Sequence, residues 1–239
     1  MRLDTALVAQ GLVSTRARAH DLIKRGQVYV DGRICSKPSQ NIRNQSVKVH
    51  DYPWVSRAGL KLQHALAQVP TLKITGRICL DLGASTGGFS HVLLDAGAGH
   101  VTAVDIGTDQ LHPQLQDHPR LINRPQCDVR TLSRDQFDPV PDLLVCDLSF
   151  IALHKALGPA LSLAPPQSDL IALVKPQFEV GRAHIGSGGI VRDLEIAAQA
   201  VMEFKTWLGS QGWQPYAEGR AAVEGGDGNQ ETWVAAKKL

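Results

Sequence analysis

From Gly76 onward, short apolar runs of strand type alternate with stretches of helical type, and this alternation constrains the fold more than any other feature of the chain. The strand-type runs are Arg77–Leu82, His100–Ile106, Arg120–Gln126, Asp142–Leu148 and Asp169–Lys175. Strands separated by helices predict an α/β domain whose parallel sheet carries helices on both faces. After a helix near Leu194–Gly209, two further strands, around Trp213–Arg220 and Thr232–Lys237, flank a glycine-rich stretch. These two are expected to pair antiparallel.

The front of the chain reads differently. Leu3 to Gln10 predicts a short helix stopped by Gly11, and Ser14 is expected to cap a second helix running to Arg25 before Gly26. Gln27–Val30 and Arg33–Cys35 then flank Asp31-Gly32, a two-residue hairpin turn. Residues 1–60 hold ten Lys/Arg against four acids, a net +6, while the remainder is net −4. A basic segment on a mildly acidic body points to a polyanion-binding module attached to another domain. In order, these helix ends, arginines and turn resemble the small RNA-binding domain named after ribosomal protein S-four. The resemblance covers residues 1–50 and implies RNA-phosphate contacts by Arg2, Arg16, Arg18, Lys24 and Arg25. Residues 51–56, with Pro53, read as a linker, and a helix follows from Arg57 to about Gln68, so the second domain is expected to span 57–239.

Composition excludes several classes. No apolar run reaches membrane-spanning length and the first residues hold no apolar signal core, which points to the cytoplasm. Cys35, Cys79, Cys127 and Cys146 are widely spaced, with no C-x-x-C pair, so they are expected to be reduced and structural, with no metal bound.

The stretch Asp81-Leu82-Gly83-Ala84-Ser85-Thr86-Gly87-Gly88-Phe89 joins a buried strand to a helix through small residues, which lets backbone approach a ligand beside free helix amides. Ser85 stands where a dinucleotide fingerprint needs its middle glycine, so a nicotinamide cofactor is disfavoured. The stretch is similar to the first motif of class I, Rossmann-like methyltransferases. That likeness implies S-adenosyl-L-methionine, held by residues 81–89, with Asp105 and Ile106 at the ribose and Asp128 and Val129 at the adenine.

A ribose hydroxyl is a weak nucleophile at neutral pH. A lysine of depressed pKa to take its proton, or an ammonium to stabilise the developing alkoxide, answers that need. Asp147 and Lys175 close the fourth and fifth strand-type runs, where open α/β sheets place their sites; Lys61 precedes the cofactor loop and Glu231 enters the last strand. Singly, each has a plain reading as a cap or surface charge. In order they resemble the Lys–Asp–Lys–Glu tetrad of FtsJ-related ribose 2′-O-methyltransferases.

With S-R-x-G-x-K, D-L-G-A-S-T-G-G-F, C-D-L-S-F-I and L-V-K-P-Q-F-E in order behind the basic domain, nearly the whole chain resembles the TlyA (hemolysin A-like) ribosomal RNA methyltransferases. The resemblance implies methyl transfer to a cytidine ribose, with large-subunit RNA favoured and small-subunit RNA open. It implies that Lys175 deprotonates or orients the hydroxyl, that Asp147 positions Lys175, and that Lys61 and Glu231 complete the network. Phe150, Phe178 and the loop Gly181–Gly189 are candidates to contact a displaced nucleotide, against plain core packing for the two rings. The rival readings are a non-catalytic RNA-binding assembly factor and a membrane-active hemolysin. Ala58, Thr108-Asp109 and Ala221-Ala222 depart from the family's usual residues.

Overall fold

The computed structural model describes residues 1–24, 26–50, 53–225 and 227–239. The chain divides into two compact units, Met1–Arg57 and Ala58–Leu239.

In the first unit, α1 (Leu3–Ala9) and α2 (Arg16–Lys24) precede a three-stranded antiparallel sheet ordered β2-β1-β3. Its strands are β1 (Val28–Val30), β2 (Arg33–Ile34) and β3 (Val47–Val49). Asp31 and Gly32 both take positive φ, +49° and +77°, as a two-residue turn matched to strand twist requires. Leu3, Leu7, Leu22, Ile23 and Val28 fill the core. The cap of α2 is Thr15, not Ser14: its Oγ1 accepts from Arg18 N at 3.1 Å. The third strand, too short for its alternation to register, was not expected from the sequence.

The second unit is a seven-stranded sheet ordered β6-β5-β4-β7-β8-β10-β9. Helix α3 (Ala58–Gln68) leads into β4 (Ile78–Leu82), α4 (Gly88–Asp95) and β5 (His100–Val104). Then come α5 (Pro113–Gln116), β6 (Leu121–Arg124), β7 (Leu143–Cys146), α6 (Leu153–Ala156), α7 (Gly158–Leu163) and β8 (Asp169–Val174). The chain closes with α8 (Pro176–Glu179), α9 (Leu194–Ser210), β9 (Trp213–Arg220) and β10 (Thr232–Lys238). Strands β4 to β8 run parallel; β10 inserts antiparallel beside β8 and pairs antiparallel with β9. The fold is thus a mostly parallel α/β sheet.

The parallel strands are all shorter than their sequence runs, and for two of them the cause is local. β6 stops at Arg124 because Pro125 has no N–H to donate, and β5 stops at Val104 because Asp105 turns into a loop that leaves Ile106 71% exposed. Leu80, Leu82, Leu144, Leu170 and Val234 are fully buried, each contributing roughly 1.5–3 kcal/mol by leaving water. That core fixes the strand ends on which the polar residues sit.

Candidate active site

Two lysines and two carboxylates converge at the carboxyl ends of β7 and β8. Lys61 lies on the buried face of α3 with Ala65, one turn apart, so it is directed into the domain and not into solvent. Asp147 follows the apolar run of β7, and its N–H donates to Leu82 O at 3.0 Å, tying this loop to the end of β4. Lys175 follows β8 and ends its extended course because Pro176 starts α8 in the first-turn position that tolerates proline. Register delivers Glu231: Thr232 pairs with Val174, so the preceding residue of the antiparallel strand falls opposite Lys175.

Lys61 Nζ lies 2.6 Å from Glu231 Oε2, and Lys175 Nζ lies 2.7 Å from Asp147 Oδ1. Lys61 and Lys175 are each 7% exposed and Glu231 1%. Burial acts to lower the Lys175 ammonium, but the charges of Asp147 and then Glu231 outweigh it and hold its pKa above the ordinary lysine value. That direction is opposite to the depressed lysine that proton acceptance asks for and matches the ammonium reading. Burial lifts the Glu231 carboxyl above its ordinary value against the pull of Lys61.

Two cavities of about 500 Å³ meet here. One is lined by Lys61, Lys175, Gln177, Phe178, Glu231 and part of the loop containing Ile185, Gly188 and Gly189. The other is lined by Gly83, Ser85, Asp105, Ile106, Asp128 and Val129, with Asp147 at its inner end. Ser149 and Phe150 line both. Phe150 is 90% exposed with φ +66°, a backbone region bulky residues rarely occupy, and its ring lies 5.2 Å from that of Phe178. For Phe150 this overturns core packing.

The second cavity fits a nucleoside-bearing cofactor. Gly83 takes φ +82°, and a Cβ there would stand 3.0 Å from Asp147 O, so glycine lets this turn pack on the Asp147 loop while it lines the cavity. Asp105 is pinned beside the loop by Ser85 N at 2.8 Å and Gly107 N at 2.7 Å. Ile106 offers an exposed apolar surface at the wall.

Not every expected cofactor residue lines the cavity. Asp81 is fully buried and accepts from Ser90 N at 2.9 Å and Ser90 Oγ at 2.6 Å, so it anchors the start of α4. Burial pushes its carboxyl up to about 7. Ala84, Thr86, Gly87, Gly88 and Phe89 build the turn and helix start behind the wall; Gly87 at φ +88° packs where a Cβ would strike Leu115 and Leu111. Asp128 caps a short 3-10 turn and pairs with Arg130 Nη2 at 2.6 Å, so it faces its own neighbour as well as the cavity. Gln110, Cys127, Arg130 and Ser149 line cavities without having been expected there. Cys127 is thus a wall residue; Cys79 and Cys146 are buried, with thiols pushed up to about 12 by burial.

Among the basic residues of the first unit, Arg2 and Arg16 converge on buried Asp4, at 3.1 and 2.7 Å, with His20 at 2.9 Å. The guanidiniums of Arg2 and Arg16, with His20, hold the Asp4 carboxyl well below the usual range. Arg18 pairs with Asp21 at 2.8 Å, and Lys24 is exposed at the end of α2. Arg25, and Asp51 and Tyr52 of the expected linker, lie outside the described residues. Among the described residues no helix is long and apolar enough to cross a membrane, and no group of three His, Cys, Asp or Glu is arranged to hold a metal.

Comparison with known proteins decides the family. The profile of the FtsJ-like methyltransferases matches residues 54–238. The chain belongs to the FtsJ-like methyltransferase family. Ahead of that FtsJ-like region, an S4 domain matches residues 1–47. The whole FtsJ-like chain is 38% identical over 237 residues to the 16S/23S rRNA (cytidine-2′-O)-methyltransferase TlyA of Mycobacterium tuberculosis, covering 98% of this chain and 88% of that protein. It is 31% identical to the 23S rRNA (cytidine-2′-O)-methyltransferase TlyA of Campylobacter jejuni, covering 97% of each. A solved structure described as a hemolysin from Streptococcus thermophilus superposes with a TM-score of 0.79 at 34% identity, covering 100% of this chain and 88% of that one.

Proposed function

We propose that this FtsJ-like methyltransferase moves a methyl group from S-adenosyl-L-methionine to the ribose 2′-hydroxyl of a cytidine in ribosomal RNA, with large-subunit RNA as the favoured substrate. The observation that carries the reading is the meeting of two lysine–carboxylate pairs where two cavities share the Ser149–Phe150 wall. One cavity suits the cofactor and the other a nucleotide. When bound, the cofactor supplies an activated methyl group on a sulfonium, so the protein needs chiefly to position and activate the acceptor oxygen.

Gly83 and Ser85 give backbone approach to the cofactor, and Asp105 accepts from its ribose hydroxyls. Lys175, held charged by Asp147, orients the acceptor hydroxyl and stabilises negative charge developing on its oxygen. Buried Glu231, with its proton affinity raised, takes the released proton, and Lys61 holds Glu231 in place. Phe150 and Phe178 offer ring faces to a base drawn out of its stack. Residues 1–50 act as the RNA-binding domain, with Arg2, Arg16, Arg18, Lys24 and Arg25 as the expected phosphate contacts, and residues 57–239 act as the transferase. A ribosomal substrate places the reaction in the cytoplasm.

Transfer of labelled methyl groups to purified ribosomal subunits, followed by mapping of the modified sugar, tests the reading. Label recovered as 2′-O-methylcytidine is the expected result. Label on protein or on a base, or none on RNA, overturns it.

A further inference from the structure

Resting on the ribose-methylation reading, we infer that Ser149 is a positioning residue that aims the Lys175 ammonium at the point of methyl transfer. Lys175 carries three N–H bonds on a stem of four rotatable carbons, and left alone it would sample many directions. It forms an ion pair with Asp147 Oδ1 at 2.7 Å and donates hydrogen bonds to Ser149 Oγ at 2.8 Å and to the Asp147 carbonyl at 3.4 Å. Both Asp147 oxygens belong to one residue. Among the described residues Ser149 alone accepts a short hydrogen bond from the ammonium, and it lines both cavities.

Ser149 takes one N–H in a short hydrogen bond, while Asp147 Oδ1 attracts the ammonium as a charge partner without a hydrogen bond of its own. A second N–H makes only the long contact with the Asp147 carbonyl, too stretched to compete well with a new acceptor. That N–H is the one left for the acceptor oxygen. Ser149 selects it, because releasing the serine contact frees the ammonium to turn toward Asp147 and Glu231, the carboxylates whose charges already act on it. The serine is held in this role by its surroundings. Its neighbour Phe150 is fixed at positive φ, and Leu153, at the end of the same loop, donates its N–H to Glu179 Oε1 at 2.9 Å. Glu179 belongs to α8, which starts directly after Lys175, so one short helix anchors both partners of the contact.

The test compares Ser149→Ala with Ser149→Thr in the full chain, using ribosomal subunits as acceptor and S-adenosyl-L-methionine as donor. Methylation by the unaltered chain measures the reading on which this inference rests; the difference between the two variants measures the inference. Loss of a hydrogen bond to a charged group predicts that S149A lowers kcat by roughly ten- to a hundredfold. KM for RNA and the cofactor Kd, taken by direct titration, stay within about twofold, and S149T recovers most of the rate because its hydroxyl is retained. Unchanged kcat in S149A, a loss confined to KM or cofactor Kd, or S149T as slow as S149A would each overturn the assignment and make Ser149 a wall residue.

Discussion

Lys61 and Glu231 stand 170 residues apart in the chain and 2.6 Å apart in space, buried together in the wall of the cavity that Lys175 and Phe178 also line. The pair joins a helix that precedes the sheet to the start of a strand added late, next to the sheet edge, so two distant segments must dock correctly before either charge has a partner. A buried charge left alone is costly.

Glu231→Gln is therefore expected to destabilise the domain by about 3–5 kcal/mol, read as a lower denaturant midpoint at unchanged slope. The double variant Lys61→Met, Glu231→Leu is expected to recover much of that stability while remaining inactive. A double variant as unstable as the single one would show that the pair contributes more than charge compensation.

Lys175→Ala removes the oriented cation from the junction. Methyl transfer is expected to fall by about 10²–10⁴-fold, with cofactor affinity within a few-fold of the unaltered protein by calorimetry. Retained turnover would remove Lys175 from the chemistry.

Asn229 is 1% exposed and fastens the glycine loop, accepting from Val191 N at 2.9 Å and donating to Gly189 O at 2.9 Å. Asn229→Ala frees the loop that walls the nucleotide cavity. The expected result is a KM for ribosomal subunits raised by about tenfold at unchanged cofactor Kd. A change in cofactor affinity alone would contradict this placement.

Asp81 should leave a mark on the pH dependence of stability. Its carboxyl rises from an ordinary value of 3.8 to about 7 on burial, so between those limits the folded state holds a proton that the unfolded chain has lost. Stability from this group is then greatest at the acid end of the window and falls as pH rises toward 7. Asp81→Asn keeps an acceptor for Ser90 and removes the titration. The variant minus unaltered difference in melting temperature should grow from pH 4 to pH 7, and a flat difference would contradict a raised carboxyl.

Lys24 is an exposed cation without a role in the core of its unit. Lys24→Ala should weaken binding to ribosomal RNA and reduce the slope of log affinity against log salt by about one. An unchanged slope would take Lys24 off the RNA surface.

Strands β5, β7 and β8 were legible because each is a largely apolar run followed by a charged residue, and this same rule placed Asp105, Asp147 and Lys175 at strand ends. What the sequence could not convey is where a polar side chain turns once its strand has ended. Asp81 sits in the most recognisable motif of the chain, yet faces Ser90 because strand alternation points it away from the cavity wall. Ser149 stood in the C-D-L-S-F-I stretch without a role of its own, since a serine in a loop gains meaning only from the lysine that reaches it. Thr15 and Ser14 are both capable caps, and only the backbone course between them decides which hydroxyl meets Arg18 N. Arg2 and Arg16 read as free cations, but both pair with a single buried carboxylate, Asp4, while their side chains stay 49% and 60% exposed.

Ser149 and Phe150 form a partition with a chamber on either side. Any adjustment of that partition by an occupant of one chamber is felt by an occupant of the other. Thermodynamics makes this exchange symmetrical: by whatever factor a seated nucleotide tightens or loosens the hold on the methyl donor, the donor changes the hold on the nucleotide by the same factor.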